Sequence, residues 1–102
     1  MRAEIKLEDE EKGLNLLHSL YALTKSYSHE GNQIAFYSGD DEFIFFVRTS
    51  VNYISFGKAS VPEPSRMWTE NIPFSEISRL FGLFLRRRYD DLHEAIRVFN
   101  EP

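Results

Sequence analysis

The chain has 102 residues, of which 42% are hydrophobic and 15% aromatic, and its formal net charge is −4. This length predicts a single domain over residues 1–102, and the apolar content suffices for one core. The negative charge argues against nucleic-acid binding, which favours a basic surface. Because the chain has no cysteine, disulfides, thiol catalysis and Cys-ligated metal sites are excluded.

The start of the sequence lacks the apolar stretch of a signal peptide. No apolar run approaches the roughly 20 residues that a membrane-spanning helix needs. A small extracellular domain usually carries a disulfide, so the missing cysteines favour an intracellular home. We therefore expect a cytoplasmic protein that does not associate with membranes.

The N-terminal segment predicts a short strand followed by a helix. Residues Arg2–Leu7 alternate polar and apolar side chains, which is typical of a half-buried edge strand. Four consecutive acids, residues 8–11, then precede a stretch with apolar residues at helical spacing. Carboxylates stabilise a helix N-terminus, by about 0.3–1 kcal/mol each. We expect a helix over Glu10–Tyr27 with Asp9 as its N-cap, although the same acids could form a binding patch.

The stretch from Glu42 to Arg48 is the centre of the predicted fold. Five consecutive apolar residues lie between one charged residue on each side. In an extended chain Phe45 points to one face, while Ile44 and Phe46 point to the other. A strand that is apolar on both faces is typical of a central strand covered on both sides. We therefore expect amphipathic helices above and below it.

Two further strands flank this one. Residues Gln33–Tyr37 form the preceding strand, which a hairpin turn at Ser38–Asp41 joins to the centre. Residues Val51–Phe56 form the following strand, which Gly57 ends. The short connections predict an antiparallel meander of three to four strands, with the N-terminal strand joining one edge.

The segment Lys58–Asn71 is predicted to be a loop. Pro62 and Pro64 exclude a helix and a central strand. Trp68 in this loop has two interpretations. It folds back to cap the open end of the core, or it is an exposed contact residue, since tryptophan is enriched at protein interfaces.

The C-terminal third has the apolar spacing of a helix that starts at Ser75, a good N-cap. A single helix over residues 75–99 would be about 37 Å long, which exceeds the diameter of a domain this size. We slightly favour two helices with a break at Arg88–Asp90, the second capped by Asp90 or Asp91. A single helix would instead overhang the sheet and favour a dimer. The apolar positions are Ile77, Leu80, Phe81, Phe84, Leu85, Leu92, Ala95, Ile96 and Phe99.

Together these elements predict an α+β fold with the order β-α-β-β-β-α-α. The sheet is an antiparallel meander of three to four strands. An N-terminal helix and one long or two shorter C-terminal helices pack against it.

The sequence shows no arrangement typical of catalysis or metal binding. The histidines His18, His29 and His93 lack metal-ligand spacing, and no glycine-rich phosphate loop or nucleophile motif occurs. The basic run Arg86–Arg88 is interpreted as structural, because it can complement a helix C-terminus or pair with the two following aspartates. We expect no cofactor, no metal and no enzymatic activity.

A small, acidic domain without catalytic motifs is typical of proteins that act by binding. Toxin-neutralising immunity proteins and phage-borne inhibitors are of this type, an analogy of composition only. The sequence hypothesis is that the chain binds and blocks a basic protein, such as a nuclease toxin. A homodimeric secretion chaperone or adaptor, joined through the C-terminal helix, is the alternative, and a small enzyme is less favoured. The candidate contacts are Glu8, Asp9, Glu10, Glu11, Asp40, Asp41, Glu42 and Trp68.

Overall fold

A computed structural model of the chain describes residues 2–4, 10–25, 33–39 and 41–101. These residues confirm the predicted α+β fold, with one strand more than the predicted order contains. A short 3-10 turn at Glu63–Ser65 precedes the additional strand. The elements are β1 (Arg2–Glu4), α1 (Glu10–Lys25), β2 (Gln33–Tyr37), β3 (Phe43–Arg48), β4 (Tyr53–Lys58), β5 (Met67–Thr69), α2 (Phe74–Leu85) and α3 (Tyr89–Phe99).

The five strands form one sheet in the order β1-β2-β3-β4-β5, so the apolar strand β3 is its centre. Strands β2 to β5 form the predicted antiparallel meander. Strand β1 lies at the edge and runs parallel to β2, because α1 connects the two. The register aligns Phe36, Phe45 and Phe56 across three neighbouring strands, which places these rings on one face.

One hydrophobic core lies between this face and the helices. The rings of Phe36 and Phe45 contact Phe81 of α2, with centroids 4.5 and 5.2 Å apart. Phe45 also contacts Phe84 at 5.6 Å, and all four rings are fully buried. Leu17 of α1 joins the same cluster. Burial of these large side chains, at about 25 cal/mol per Å² of apolar surface, is the main stabilisation of the fold.

The prediction that helices cover both faces of β3 is wrong for the described helices. Their buried apolar side chains belong to the cluster that contains Phe45 and Val47, and Ile44 and Phe46 lie outside that cluster. Yet Ile44 and Phe46 are only 4% and 9% exposed. Long side chains of the sheet itself contribute to this burial, because the Arg48 guanidinium lies over the Phe46 ring. A strand can thus be apolar on both faces with helices on one of them.

The predicted strand and loop after β3 differ from the observed elements. Val51 and Asn52 lie in the turn, where Asn52 has a φ of 48°, so β4 begins at Tyr53. Gly57 continues the strand instead of ending it. A Cβ atom at Gly57 would lie 3.1 Å from Cγ of Arg66, so the glycine lets this side chain pack closely against the strand. The segment predicted as a loop contains β5.

The C-terminal region consists of two helices, as the sequence analysis favoured. Helix α2 ends in a turn closed by two backbone hydrogen bonds, from Arg87 N to Phe84 O (3.1 Å) and from Arg88 N to Leu83 O (2.9 Å). Arg87 has a φ of 59°, in the left-handed region that usually favours glycine at this position. The sequence therefore shows no glycine signal for the break between α2 and α3.

The predicted caps of these two helices are wrong by a few residues. Pro73, not Ser75, is the N-cap of α2, because proline fixes the backbone φ just before the first turn. Arg88 is the N-cap of α3, and Asp90 and Asp91 lie in its first turn, where their charges still favour the helix dipole. The Asp9 cap, residues 5–7 of the first predicted strand and residues 26–27 of the first predicted helix lie outside the described residues.

Candidate protein-binding surface

The sheet face opposite the core carries a cluster of aromatic and charged side chains, which we call the Trp68 cluster. It consists of Phe46, Arg48, Tyr53, Glu63 and Trp68. The strand register explains its sheet members: Arg48 of β3 lies opposite Tyr53 of β4. Phe46 of β3 and Trp68 of β5 both lie opposite Ser55 of β4, which is the strand between them. Opposed residues share a face, so the hairpin brings these side chains together.

The members of the Trp68 cluster form a layered arrangement. The rings of Tyr53 and Trp68 stack with centroids 5.7 Å apart and planes 26° apart. Arg48 Cζ lies 5.2 Å from the Tyr53 centroid and 5.7 Å from the Phe46 centroid. The Phe46 ring meets Tyr53 edge-on at 6.1 Å. Each such aromatic or cation–π contact contributes about 0.5–1.5 kcal/mol, so the side chains of the cluster stabilise one another.

Trp68 is the exposed member of the cluster. Its side chain is 44% exposed, and it belongs to the short edge strand β5. Asn100 Nδ2 donates a 2.6 Å hydrogen bond to the Trp68 carbonyl oxygen, which ties the end of α3 to this strand. Of the two sequence interpretations, the structure supports the exposed residue and not the core cap. Tryptophan is among the residue types most enriched in interface hot spots.

The charges within the cluster are balanced. Arg48 Nη2 lies 3.7 Å from Glu63 Oε1, and both side chains are about one-third exposed. This separation gives a weak, solvent-screened pair. Burial and the neighbouring Glu63 carboxylate raise the pKa of the Tyr53 phenol above its ordinary value of 10.0. The neutral form of the phenol is therefore favoured, and a hydrogen bond to Glu63 contributes to this shift.

The predicted acidic contacts are only partly available. Glu10 accepts two hydrogen bonds from Arg86 Nε, at 3.0 and 3.1 Å, so its charge is compensated within the chain. This hydrogen bond raises the pKa of Arg86. Glu11 is exposed in the first turn of α1. The basic run 86–88 thus pairs partly with α1, although Arg88 does pair with Asp91 as the sequence analysis allowed.

The remaining acids lie at the turn between β2 and β3 or outside the described residues. Asp41, which has a φ of 57°, and Glu42 are both exposed at that turn. Glu8, Asp9 and Asp40 lie outside the described residues. The Trp68 cluster adds Phe46, Arg48, Tyr53 and Glu63 to the predicted contacts. The predicted hairpin between β3 and β4 indicated the first three, because it sets positions 46 and 48 beside 53 and 55, whereas no local pattern indicated Glu63.

The histidines and acids of the described residues form no metal-binding group. No group of three or more histidine, aspartate or glutamate side chains in these ranges is placed to hold a metal ion. His18 Nε2 lies 3.3 Å from Ser78 Oγ on an exposed surface, and its ring packs edge-on against Phe74. His93 is exposed on α3, and His29 lies outside the described ranges. Across the same ranges, no helix combines the length and the apolar character needed to cross a bilayer.

No protein-family model, curated protein or solved structure matches this chain, so the proposal for its function rests on the geometry of the chain itself.

Proposed function

We propose that this chain is a non-catalytic binding protein that neutralises a partner protein, and that the partner docks on the Trp68 cluster. The observation that carries the proposal is the 44% exposed Trp68 ring stacked on Tyr53, on the sheet face away from the helices. Tryptophan, tyrosine and arginine are the residues most enriched in interface hot spots. Here all three lie in one contiguous cluster.

The arrangement suits docking because the surface is ordered before a partner binds. The ring stack and the Arg48 guanidinium hold each other in place, so little side-chain freedom is lost on association. Immobilising a flexible side chain at an interface costs about 0.5–1.5 kcal/mol, and a preformed surface avoids much of that cost. The backbone of β5 is fixed by the hydrogen bond from Asn100.

The proposed partner is a basic protein, such as a nuclease toxin, that places an apolar side chain on Trp68. The chain carries a net charge of −4, which attracts a basic surface over the range of the Debye length. Asp41 and Glu42 are exposed at the turn that precedes β3, while Glu63 is partly exposed within the cluster. In this proposal the aromatic rings determine affinity and the acids determine the association rate.

The experiment that tests this proposal places a photo-crosslinking amino acid at position 70, where Glu70 is exposed two residues after Trp68, in cells that naturally produce the chain. The crosslinked protein is identified by mass spectrometry, purified and measured for binding to the unmodified chain. We expect Trp68→Ala to weaken that binding at least about 30-fold, which corresponds to a hot spot of about 2 kcal/mol. Val98 of α3 is 54% exposed and supplies the matched control, since Val98→Ala should leave the affinity unchanged.

Two outcomes would contradict the proposal. A partner that binds Trp68→Ala as tightly as the original chain does not use the cluster. If the crosslinks from position 70 join two copies of this chain and the free protein is a tight dimer, the homodimeric chaperone is favoured instead. Charge reversal at Asp41 and Glu42 separates the contribution of the acids from that of the aromatic rings. It should slow association at low salt and leave dissociation nearly unchanged.

A further inference from the structure

The side chain of Arg66 lies on the same face of the sheet as the Trp68 cluster. The strand register pairs Ser55 of β4 with Trp68 of β5. Residues two positions apart in an extended segment point to the same side, so Gly57 and Arg66 share the face of that pair. A Cβ atom at Gly57 would lie 3.1 Å from Cγ of Arg66, in agreement with this placement. Arg66 is therefore the neighbour of Trp68 on the face away from the helices.

The Arg66 guanidinium uses little of its hydrogen-bonding capacity within the described residues. It can donate five hydrogen bonds, yet it donates a single long one there, from Nη2 to the Ala59 carbonyl oxygen at 3.5 Å. Its Nε atom is buried and has no acceptor in the part of the chain that the structure describes. The ion pairs of these ranges do not include Arg66. A charged donor that is partly buried without an acceptor is costly and indicates a missing partner.

The charge of Arg66 differs in this respect from that of Arg48, the arginine within the cluster. Arg48 Nη2 lies 3.7 Å from Glu63 Oε1, so these two charges partly compensate each other. Arg66 is half-buried, and the charge of a guanidinium is delocalised over the whole group. The surface beside Trp68 therefore carries an uncompensated positive charge, although the whole chain has a net charge of −4.

We propose that the partner docks with a segment that places an acidic side chain on Arg66 beside the apolar side chain on Trp68. This inference rests on the proposed function and specifies the chemistry of the docked segment. Arginine binds carboxylates through parallel, charge-assisted hydrogen bonds that are roughly twice as strong as neutral ones. The net charge of the chain attracts a basic partner at long range, whereas Arg66 acts in contact and selects which residue lies beside Trp68.

The test uses two terminally blocked dipeptides as probes, one of leucine and glutamate and one of leucine and glutamine. They have nearly the same shape and differ in the carboxylate. In NMR titrations of the ¹⁵N-labelled chain, the indole N–H signal of Trp68 and the Nε–H signal of Arg66 report directly on the site. We expect saturable shifts of both signals and binding of the glutamate peptide tighter by about tenfold. The net charge of −4 repels an anionic peptide, so this preference requires a local cation.

Arg66→Gln should remove the preference for the glutamate peptide and leave the affinity for the glutamine peptide unchanged. The matched control is Arg79→Gln, which removes the same charge from an exposed arginine of α2 that pairs with Glu76. This variant should keep the preference. The comparison of the two peptides on the original chain needs no variant, so the test remains decisive if Arg66→Gln does not fold.

Three outcomes would overturn the inference. The first is equal affinity for the two peptides, and the second is a preference that Arg66→Gln leaves intact. The third is acetate causing the same shifts at the same concentration, because the site would then recognise a carboxylate without the apolar side chain. The proposed function fails on a different result, namely a crosslinked partner that binds Trp68→Ala as tightly as the original chain.

Discussion

The two faces of strand β3 are covered in different ways. Phe45 points to the helices and is fully buried against Phe81 and Phe84. Phe46, the next residue, points to the other face, where the side chains of Arg48 and Tyr53 pack on it. The first face is closed by secondary structure and stabilises the fold. The second is packed by side chains of the sheet itself, and Trp68 on it remains partly exposed to a partner.

The largest expected effect separates these two faces by stability. Phe45→Ala should lower the free energy of unfolding by about 3–5 kcal/mol. The closely packed helices cannot move into the cavity that the lost ring leaves. Phe46→Ala should cost about 2 kcal/mol, since Arg48 and Tyr53 can move into the space. Urea unfolding followed by far-UV circular dichroism measures both values. If Phe45→Ala does not fold, the pair Phe45→Leu and Phe46→Leu tests the same order.

Equal losses at the two positions would contradict the difference between the faces. They would show that the side chains on the second face cover Phe46 as completely as the helices cover Phe45.

A smaller effect is expected at Asn52, whose side chain forms hydrogen bonds with α1 and with the segment that precedes α2. Tyr21 Oη donates a 2.7 Å hydrogen bond to Asn52 Oδ1, and Asn52 Nδ2 donates one of 2.8 Å to the Ile72 carbonyl oxygen. Asn52→Gly keeps the backbone φ of 48° accessible and removes both bonds, at a cost of about 2 kcal/mol.

The matched variant Asn52→Ala adds the strain of a left-handed backbone, about 1 kcal/mol more. Urea unfolding measures both variants in the same way. If alanine is tolerated better than glycine at this position, the left-handed turn is not required by the fold.

The smallest effect is a titration on the second face. Burial and then the Glu63 carboxylate raise the pKa of Tyr53, so the phenolate is disfavoured in the folded protein. The stability that this neutral phenol contributes is fully present below pH 10.0 and is lost as the pH rises from that value through the raised pKa of the folded state. NMR of the tyrosine Cζ resonances should show Tyr53 titrating above the ordinary range. Glu63→Gln should lower this pKa, whereas Arg48→Gln should raise it further.

A Tyr53 pKa that both substitutions leave unchanged would show that the phenol does not contact the charged pair. The proposed geometry of the Trp68 cluster would then be wrong.

The sequence predicted those parts of the fold that depend on local periodicity. The alternation of Ile34 and Phe36 predicted strand β2 and its buried face, and the apolar run from Phe43 predicted the central strand. It did not predict which side of the sheet the helices would occupy. The packing of Arg48 on Tyr53 depends on the pairing of β3 with β4, which no local pattern contains.

The binding surface was predicted less well, for a similar reason. Glu10 pairs with Arg86, which lies 76 positions away in the sequence. The neighbouring residues therefore could not predict that the charge of Glu10 is compensated. Trp68 was predicted as a candidate contact. The short strand that positions it was not predicted, because the two prolines before it favour a loop. The exposure of a single side chain depends on the whole fold, and the local sequence does not determine it.

The most direct test of the account compares the solvent accessibility of the two faces in the free protein. A soluble paramagnetic agent broadens the NMR signals of side chains that it can approach. We expect strong broadening of the Trp68 indole, weaker broadening of the Tyr53 ring, and none for Phe45 and Phe81. If the Trp68 indole is as protected as Phe45, the second face is already covered and the proposed docking surface does not exist.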